Sequence, residues 1–260
     1  MKKVVIVTGA SSELGLNVIE KLLERDYKIY ALARDIEKIQ LKHETLSKKT
    51  LDLTDKDSCK KVMGEIGNEN ESLDVLVNIA AITVSGETLK STEEEFSDVL
   101  KVNVLGMFNI IKYFIKEKGR NNKAKIVNIT SMVGFVAFPN FGIYSASKSA
   151  QEALGLSLRY ELRKDHITVT NIAPGAIEKK DKKVKKSHKR TAREKFTILR
   201  HLMPILSSKD VAKAIVRVVE IENPPARIIV GWDARIVFLL QKILPFSLFD
   251  KLMLFVWTKK

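Results

Sequence analysis

Short apolar runs alternate with longer amphipathic stretches along most of this chain. Val4 to Val7 is a β-branched run that stops at Thr8-Gly9, and the next segment places Leu14, Val18, Leu22 and Leu23 on one helical face. The alternation then repeats. Strand-like runs cover Lys28–Ala33, a short approach ending at Leu51, Leu73–Ile79, Lys125–Ile129, Ile167–Ile172 and Arg227–Val230. Helical patterns run through Cys59, Val62 and Ile66, through Phe96, Val99, Leu100 and Asn103, from Tyr144 to Leu162, and through Val211, Ile215 and Val218. Ser91-x-x-Glu94 and Thr92-x-x-Glu95 both read as capping boxes, and Ser207-x-x-Asp210 caps the last of these helices. Continuously apolar strands alternating with helices predict an α/β fold: a doubly wound, parallel, seven-stranded sheet covered on both faces, in one domain over residues 1–231. Two stretches break the pattern, a basic run from Lys179 to Lys195 and an apolar tail from Trp232 to Trp257.

Composition narrows the partners. The 260 residues suffice for one large domain, and 45 Lys plus Arg against 31 Asp plus Glu give a net charge of +14. That balance suits phosphorylated cofactors, nucleic acid or an anionic membrane surface. The basic run holds ten Lys or Arg against Asp181 and Glu194. It reads either as a cationic flap over the substrate mouth or as a solvated stretch. It has no aromatic residue to stack on bases, which argues against nucleic acid. The sole cysteine, Cys59, excludes an intrachain disulfide and fits a reducing cytoplasm. His43, His166, His188 and His201 lack ligand spacing, so no metal site is expected. No apolar run is long enough to predict a membrane-spanning helix.

Candidate chemistry lies between Asn128 and Lys148. Ser131 follows a strand-like run, Tyr144 comes thirteen residues later, and Lys148 lies one helical turn beyond it. A Lys beside a Tyr favours the phenolate and lowers the Tyr pKa. The pair can then exchange a proton with a reacting oxygen, to which Ser131 donates a hydrogen bond. Tyr-x-x-x-Lys alone carries little weight in so Lys-rich a chain. A second match, Tyr160 to Lys164, has no Ser-bearing strand end upstream and reads as a solvated helix face.

Other motifs add to the first. Thr8-Gly9-Ala10-Ser11-Ser12-Glu13-Leu14-Gly15 forms a Gly turn leading into a helix, whose N-terminus suits a pyrophosphate. This resembles the Thr-Gly-x-x-x-Gly-x-Gly fingerprint of the short-chain dehydrogenase/reductase family, with Glu13 in place of the middle glycine. Asp52-Leu53 resembles the family's adenine-contacting pair, and Asn78-Ile79-Ala80-Ala81 is similar to its Asn-Asn-Ala-Gly motif. Asn103 resembles the helix Asn that holds a water near the catalytic Lys. Pro174-Gly175-Ala176-Ile177 resembles the motif flanking the nicotinamide, with Lys179 where a Thr is frequent. The resemblance covers about residues 1–231 and implies a Rossmann fold.

It further implies catalytic roles for Asn103, Ser131, Tyr144 and Lys148. Cofactor contacts are expected from Gly9, Ser11, Ser12, Leu14, Arg34, Asp52, Leu53, Asn78, Ala80, Tyr144, Lys148, Pro174, Gly175 and Ile177. Ala33 stands where users of NAD carry an acid, and Arg34 suits a 2′-phosphate, so NADP (NADPH) is the expected cofactor. Glu13 either repels the pyrophosphate or is a helix-start acid that points to solvent. The expected activity is NADPH-dependent reduction of a hydrophobic, lipid-like ketone. The alternative is a non-catalytic nucleotide sensor or scaffold. Met132, Phe135, Phe138 and Phe141 would line a substrate pocket or pack the loop.

The tail places Ile236, Leu239, Leu240, Ile243 and Leu244 on one face before Pro245 breaks the helix. Two readings stay open: packing on its own domain or a twin subunit in a homo-oligomer, or lying in a membrane interface with Trp257, Lys259 and Lys260 at headgroup depth. The expected location is cytoplasmic, with peripheral attachment to the membrane under the second reading.

Overall fold

The computed structural model describes residues 2–119, 123–178 and 206–258. The basic run, Lys179, His188, His201, Lys259 and Lys260 lie outside them. Seven strands form one parallel sheet: β1 (Lys3–Thr8), β2 (Tyr27–Ala33), β3 (Leu46–Thr50), β4 (Val75–Asn78), β5 (Ala124–Ile129), β6 (Ile167–Pro174) and β7 (Arg227–Val230). Their order is β3-β2-β1-β4-β5-β6-β7. The chain winds outward from β1 in one direction and from β4 in the other. The carboxyl ends of β1 and β4 therefore flank a crevice, the usual ligand position in such sheets.

The apolar runs are continuous because both faces of the sheet are buried. Val5, Val7, Ile29, Ala31, Val77 and Val127 face one core with Val18, Ile19 and Leu22 of α1 (Glu13–Leu23) and Val211, Ile215 and Val218 of α6 (Ser208–Glu220). Val4, Ile6, Tyr30, Leu32, Leu76 and Ile126 face the other, against α2 (Lys56–Asn68) and α4 (Met107–Glu117). Complete burial of such a side chain contributes about 1.5–3 kcal/mol.

The third strand departs from expectation. It is the sequence LSKKT and ends at Thr50, before Leu51. It is an edge strand whose residues are at most half-buried, and it lacks the apolar run that marks its neighbours. Helix α3 (Glu93–Leu100) opens on the capping box of Thr92 and Glu95, so Thr92 and not Ser91 is its cap. It passes into a π-helical segment, Lys101–Gly106, that carries Asn103 and leads directly into α4. Helix α5 spans Gly142–Glu161 and carries Tyr144 and Lys148.

The tail folds into α7 (Trp232–Ile243) and α8 (Phe246–Thr258), broken at Pro245 as expected. Its buried face differs from the expected stripe. Ala234, Val237 and Phe249 are buried, and Leu240 and Leu244 pack beside them, whereas Leu239 and Ile243 are exposed. The inner stripe packs on Val133, Val136 and Phe138 of the loop after Ser131. Among the described residues no helix is long and apolar enough to cross a membrane.

Candidate active site

The crevice at the β1 and β4 ends is a cavity of about 360 Å³. Thr8, Gly9, Ser11, Ser12, Arg34, Asp52, Leu53 and Ala80 line it, as expected for those motifs. Gly9 has φ +67°, and a β-carbon there would lie 2.7 Å from the Ala80 nitrogen, so the turn admits only glycine. Ser12 caps α1: its hydroxyl accepts from the Gly15 N–H at 3.1 Å and donates to the Gly9 carbonyl at 2.7 Å. Thr8 Oγ1 accepts from the Ile79 N–H at 3.3 Å, joining the two strand ends. The Asp52 carboxylate accepts from the hydroxyl and N–H of Thr54, and these bonds hold its pKa below the usual range. Lys38 also lines the cavity, a residue that motif reasoning missed. It pairs at 2.9 Å with Asp35, the nearest acid after β2. A glycine turn, a helix N-terminus and cations at the far wall fit a phosphorylated dinucleotide.

Leu14, Asn78, Pro174, Gly175 and Ile177 do not line this cavity. Leu14 and Ile177 pack against the core. Pro174 and Gly175 end β6 beside the tail, where the Asp233 carboxylate accepts from the Ala176 N–H at 2.7 Å. Asn78 lies beneath the crevice, in a row of amides across adjacent strands. Its Nδ2 donates to Asn128 Oδ1 at 2.9 Å, and Asn128 Nδ2 donates to Asn171 Oδ1 at 3.1 Å. Glu13 is not among the residues that line the crevice, and its carboxylate accepts from the Ser208 hydroxyl at 2.7 Å, which ties α1 to α6.

The candidate catalytic residues come together at the end of β5. Ser131 leaves the strand in extended conformation, and its hydroxyl oxygen accepts from the Val133 N–H at 3.4 Å. The short turn it opens lies flat on α5: a β-carbon on Gly134 would sit 2.9 Å from the Lys148 carbonyl oxygen. Lys148 Nζ lies 5.6 Å from the centre of the Tyr144 ring. It donates to the Ile129 carbonyl at 2.9 Å and to Gln151 Oε1 at 2.7 Å. Asn103 is buried in the π-helical segment, and its side chain clasps Ile82, accepting from the N–H at 2.8 Å and donating to the carbonyl at 2.9 Å.

The proton affinities differ from the expectation. Burial raises the Tyr144 pKa, and a hydrogen bond with Thr83 only partly offsets it. Burial also lowers Lys148 to about 7, against an opposing pull from Glu152. The ammonium lies over the ring and is committed to other acceptors, so burial outweighs its effect on the phenol. Tyr144 thus holds its proton at neutral pH, which suits a proton donor.

Tyr144 itself packs at the edge of the apolar cluster formed by Val133, Val136, Phe138, Val237 and Phe249. Met132, Phe135 and Phe141 join that cluster and pack against the tail helices. The Phe135 and Phe238 rings meet edge-on at 5.1 Å, with Arg227 over both. Arg227 also pairs with buried Glu152 at 2.8 Å, an ion pair that the sequence pattern did not signal. Tyr160 is 73% exposed, in keeping with a solvated second Tyr-x-x-x-Lys match. Among the described residues no group of His, Cys, Asp or Glu could hold a metal ion. Cys59 is buried, and its thiol is raised to about 11 by that burial.

Comparison with known proteins agrees with this arrangement. A protein of Helicobacter pylori described as a probable short-chain type dehydrogenase/reductase is 28% identical over 257 residues, 95% of each chain. A 3-oxoacyl-[acyl-carrier-protein] reductase of Staphylococcus aureus is 34% identical over 185 residues, 68% of this chain and 75% of its own. A 3-ketodihydrosphingosine reductase of Bacteroides thetaiotaomicron is 30% identical over 177 residues, 66% of this chain and 63% of its own. A short-chain dehydrogenase of Burkholderia cenocepacia, solved with NADP, has the same fold, with a TM-score of 0.80 at 21% identity over 96% of this chain and 97% of that one. The family model for short chain dehydrogenases matches residues 3–190. With its parallel sheet, glycine turn and Ser131, Tyr144 and Lys148 gathered at the end of β5, the chain belongs to the short-chain dehydrogenase family of nicotinamide-dependent oxidoreductases.

Proposed function

We propose that this chain is an NADPH-dependent carbonyl reductase acting on a hydrophobic, lipid-like ketone. The observation that carries the reading is the position of Tyr144, a protonated phenol at the edge of an apolar cluster shared by the Ser131 loop and the tail. A bound nicotinamide supplies the hydride. Tyr144 donates its proton to the carbonyl oxygen, and Ser131 donates a hydrogen bond to the same oxygen as charge grows on it. Lys148 stands under the Tyr144 ring and stabilises the phenolate left behind.

Arg34 and Lys38 line the cavity beyond β2 and support NADPH, because Asp35 is already paired with Lys38. Two of the relatives named above reduce 3-oxoacyl and 3-ketosphingoid groups by their descriptions, which supports a long-chain ketone. The tail supports a partner as well. Trp232, Leu239, Ile243, Phe246 and Leu248 are more than half exposed. On a chain of net charge +14 they favour an anionic membrane surface, with a twin subunit as the other occupant.

A panel of ketones and aldehydes followed by loss of NADPH absorbance tests the reading. Turnover is expected on apolar ketones, with Tyr144→Phe slower by at least about a hundredfold while still folded and cofactor-bound. Wild-type protein that binds neither NADPH nor NADH would favour the scaffold alternative.

A further inference from the structure

We infer that Gln151 is a positioning residue for Lys148: its side-chain amide bridges the Asn103 carbonyl of the π-helical segment and the Lys148 ammonium. Nε2 donates to the Asn103 carbonyl oxygen at 2.5 Å, and Oε1 accepts from Lys148 Nζ at 2.7 Å. The orientation of the amide follows from its neighbours. A backbone carbonyl only accepts and an ammonium only donates, so a flipped amide would set donor against donor and acceptor against acceptor. All three groups are buried: Asn103 is 0% exposed, and Gln151 and Lys148 are each 2% exposed. Bulk water is therefore excluded, and an amide missing from the bridge would cost the Asn103 carbonyl this donor and leave Lys148 with the Ile129 carbonyl as its acceptor.

The family resemblance assigns the link between Asn103 and the Lys to a water. A side chain, three residues beyond Lys148 on the same helix, spans the same two groups. A water can turn and pass a proton on, whereas an amide held at both ends keeps one orientation. Gln151 thus fixes Lys148 under Tyr144 and favours its charged form through an acceptor aimed at it.

The other charged groups around Lys148 are accounted for. Glu152, the next residue on α5, raises its pKa but is itself held by Arg227 of β7 at 2.8 Å and by the Thr130 hydroxyl at 2.5 Å. From β5 the facing group is the Ile129 carbonyl. From the π-helical segment it is Asn103, reached through Gln151.

The inference rests on the reading of Tyr144 and Lys148 as the acid–base pair, so its test includes a readout independent of turnover. Lysine-labelled full-length protein, without cofactor, is titrated by NMR as wild type, Gln151→Met and Gln151→Glu. The Lys148 signal is identified by its loss in Lys148→Arg. Removing a charge-assisted bond should lower the Lys148 midpoint by about one pH unit in Gln151→Met, and a carboxylate should raise it by a similar amount in Gln151→Glu. The alkaline limb of ketone reduction should move in the same directions. In Gln151→Met kcat should fall roughly tenfold at little change in KM. Midpoints unchanged in both variants would overturn the inference, even with a lower kcat, since a purely structural residue would behave that way. If Gln151→Met does not fold, the near-isosteric Gln151→Glu decides the matter alone. A wild type inactive on every ketone would overturn the proposed function and leave the NMR result to judge Gln151.

Discussion

The two regions of the candidate site are built by opposite means. On the nucleotide side the chain removes side chains and exposes backbone: Gly9 turns at positive φ against Ala80, and Ser12 caps the helix that follows. On the substrate side it adds side chains, from two segments about a hundred residues apart. Val133, Val136 and Phe138 follow Ser131, and Val237 and Phe249 come from the tail. Backbone geometry leaves little room for variation, because a pyrophosphate has one shape. Apolar packing tolerates substitution as long as volume is kept. Under the proposed function the nucleotide side sets the class of reaction, and the apolar cluster sets the preference among substrates.

The largest effect that separates the sides is expected at Phe249. It is 8% exposed and packs in the cluster that reaches Tyr144. Phe249→Ala should cost about 3–5 kcal/mol of stability, measured by denaturant unfolding. Dinucleotide affinity per folded molecule should stay unchanged. Weakened NADPH binding in the folded variant would mean that the tail supports both regions of the site. A smaller effect is expected at Arg34. Losing one charge-assisted contact at an exposed site should weaken NADPH about tenfold and leave NADH nearly unaffected, as read by titration calorimetry. Equal weakening of both would make Arg34 a structural residue.

This contrast also explains what the sequence made legible. The five inner strands were visible because they are buried on both faces and the edge strand β7 because it carries the apolar run RIIV, whereas the third run was misplaced toward Leu51 because β3, the sequence LSKKT, is largely polar. Ser131, Tyr144 and Lys148 could be found because a fixed strand end and one helical turn set their spacing. The expected effect of Lys148 on the phenol did not hold, since the balance between charge and burial depends on where Nζ points. Spacing does not report that direction. Gln151 gave no signal for the same reason: an amide on the inner face of a helix looks like any polar helix residue until its two partners are in place. In the tail, periodicity found the helices and the Pro245 break but chose a stripe through Leu239 and Ile243, both exposed. Val237 and Phe249 face inward because the loop after Ser131 offers an apolar surface there, and only the tertiary fold brings that loop near.

The central claim, reduction of an apolar ketone beside the cluster that the tail shares with the Ser131 loop, is tested most directly by kcat/KM for straight-chain ketones of increasing length with NADPH. Each added methylene that reaches apolar surface should raise kcat/KM by about three- to fourfold, the equivalent of about 0.8 kcal/mol, until the chain outgrows that surface. A flat series, or activity confined to short polar carbonyls, would contradict it.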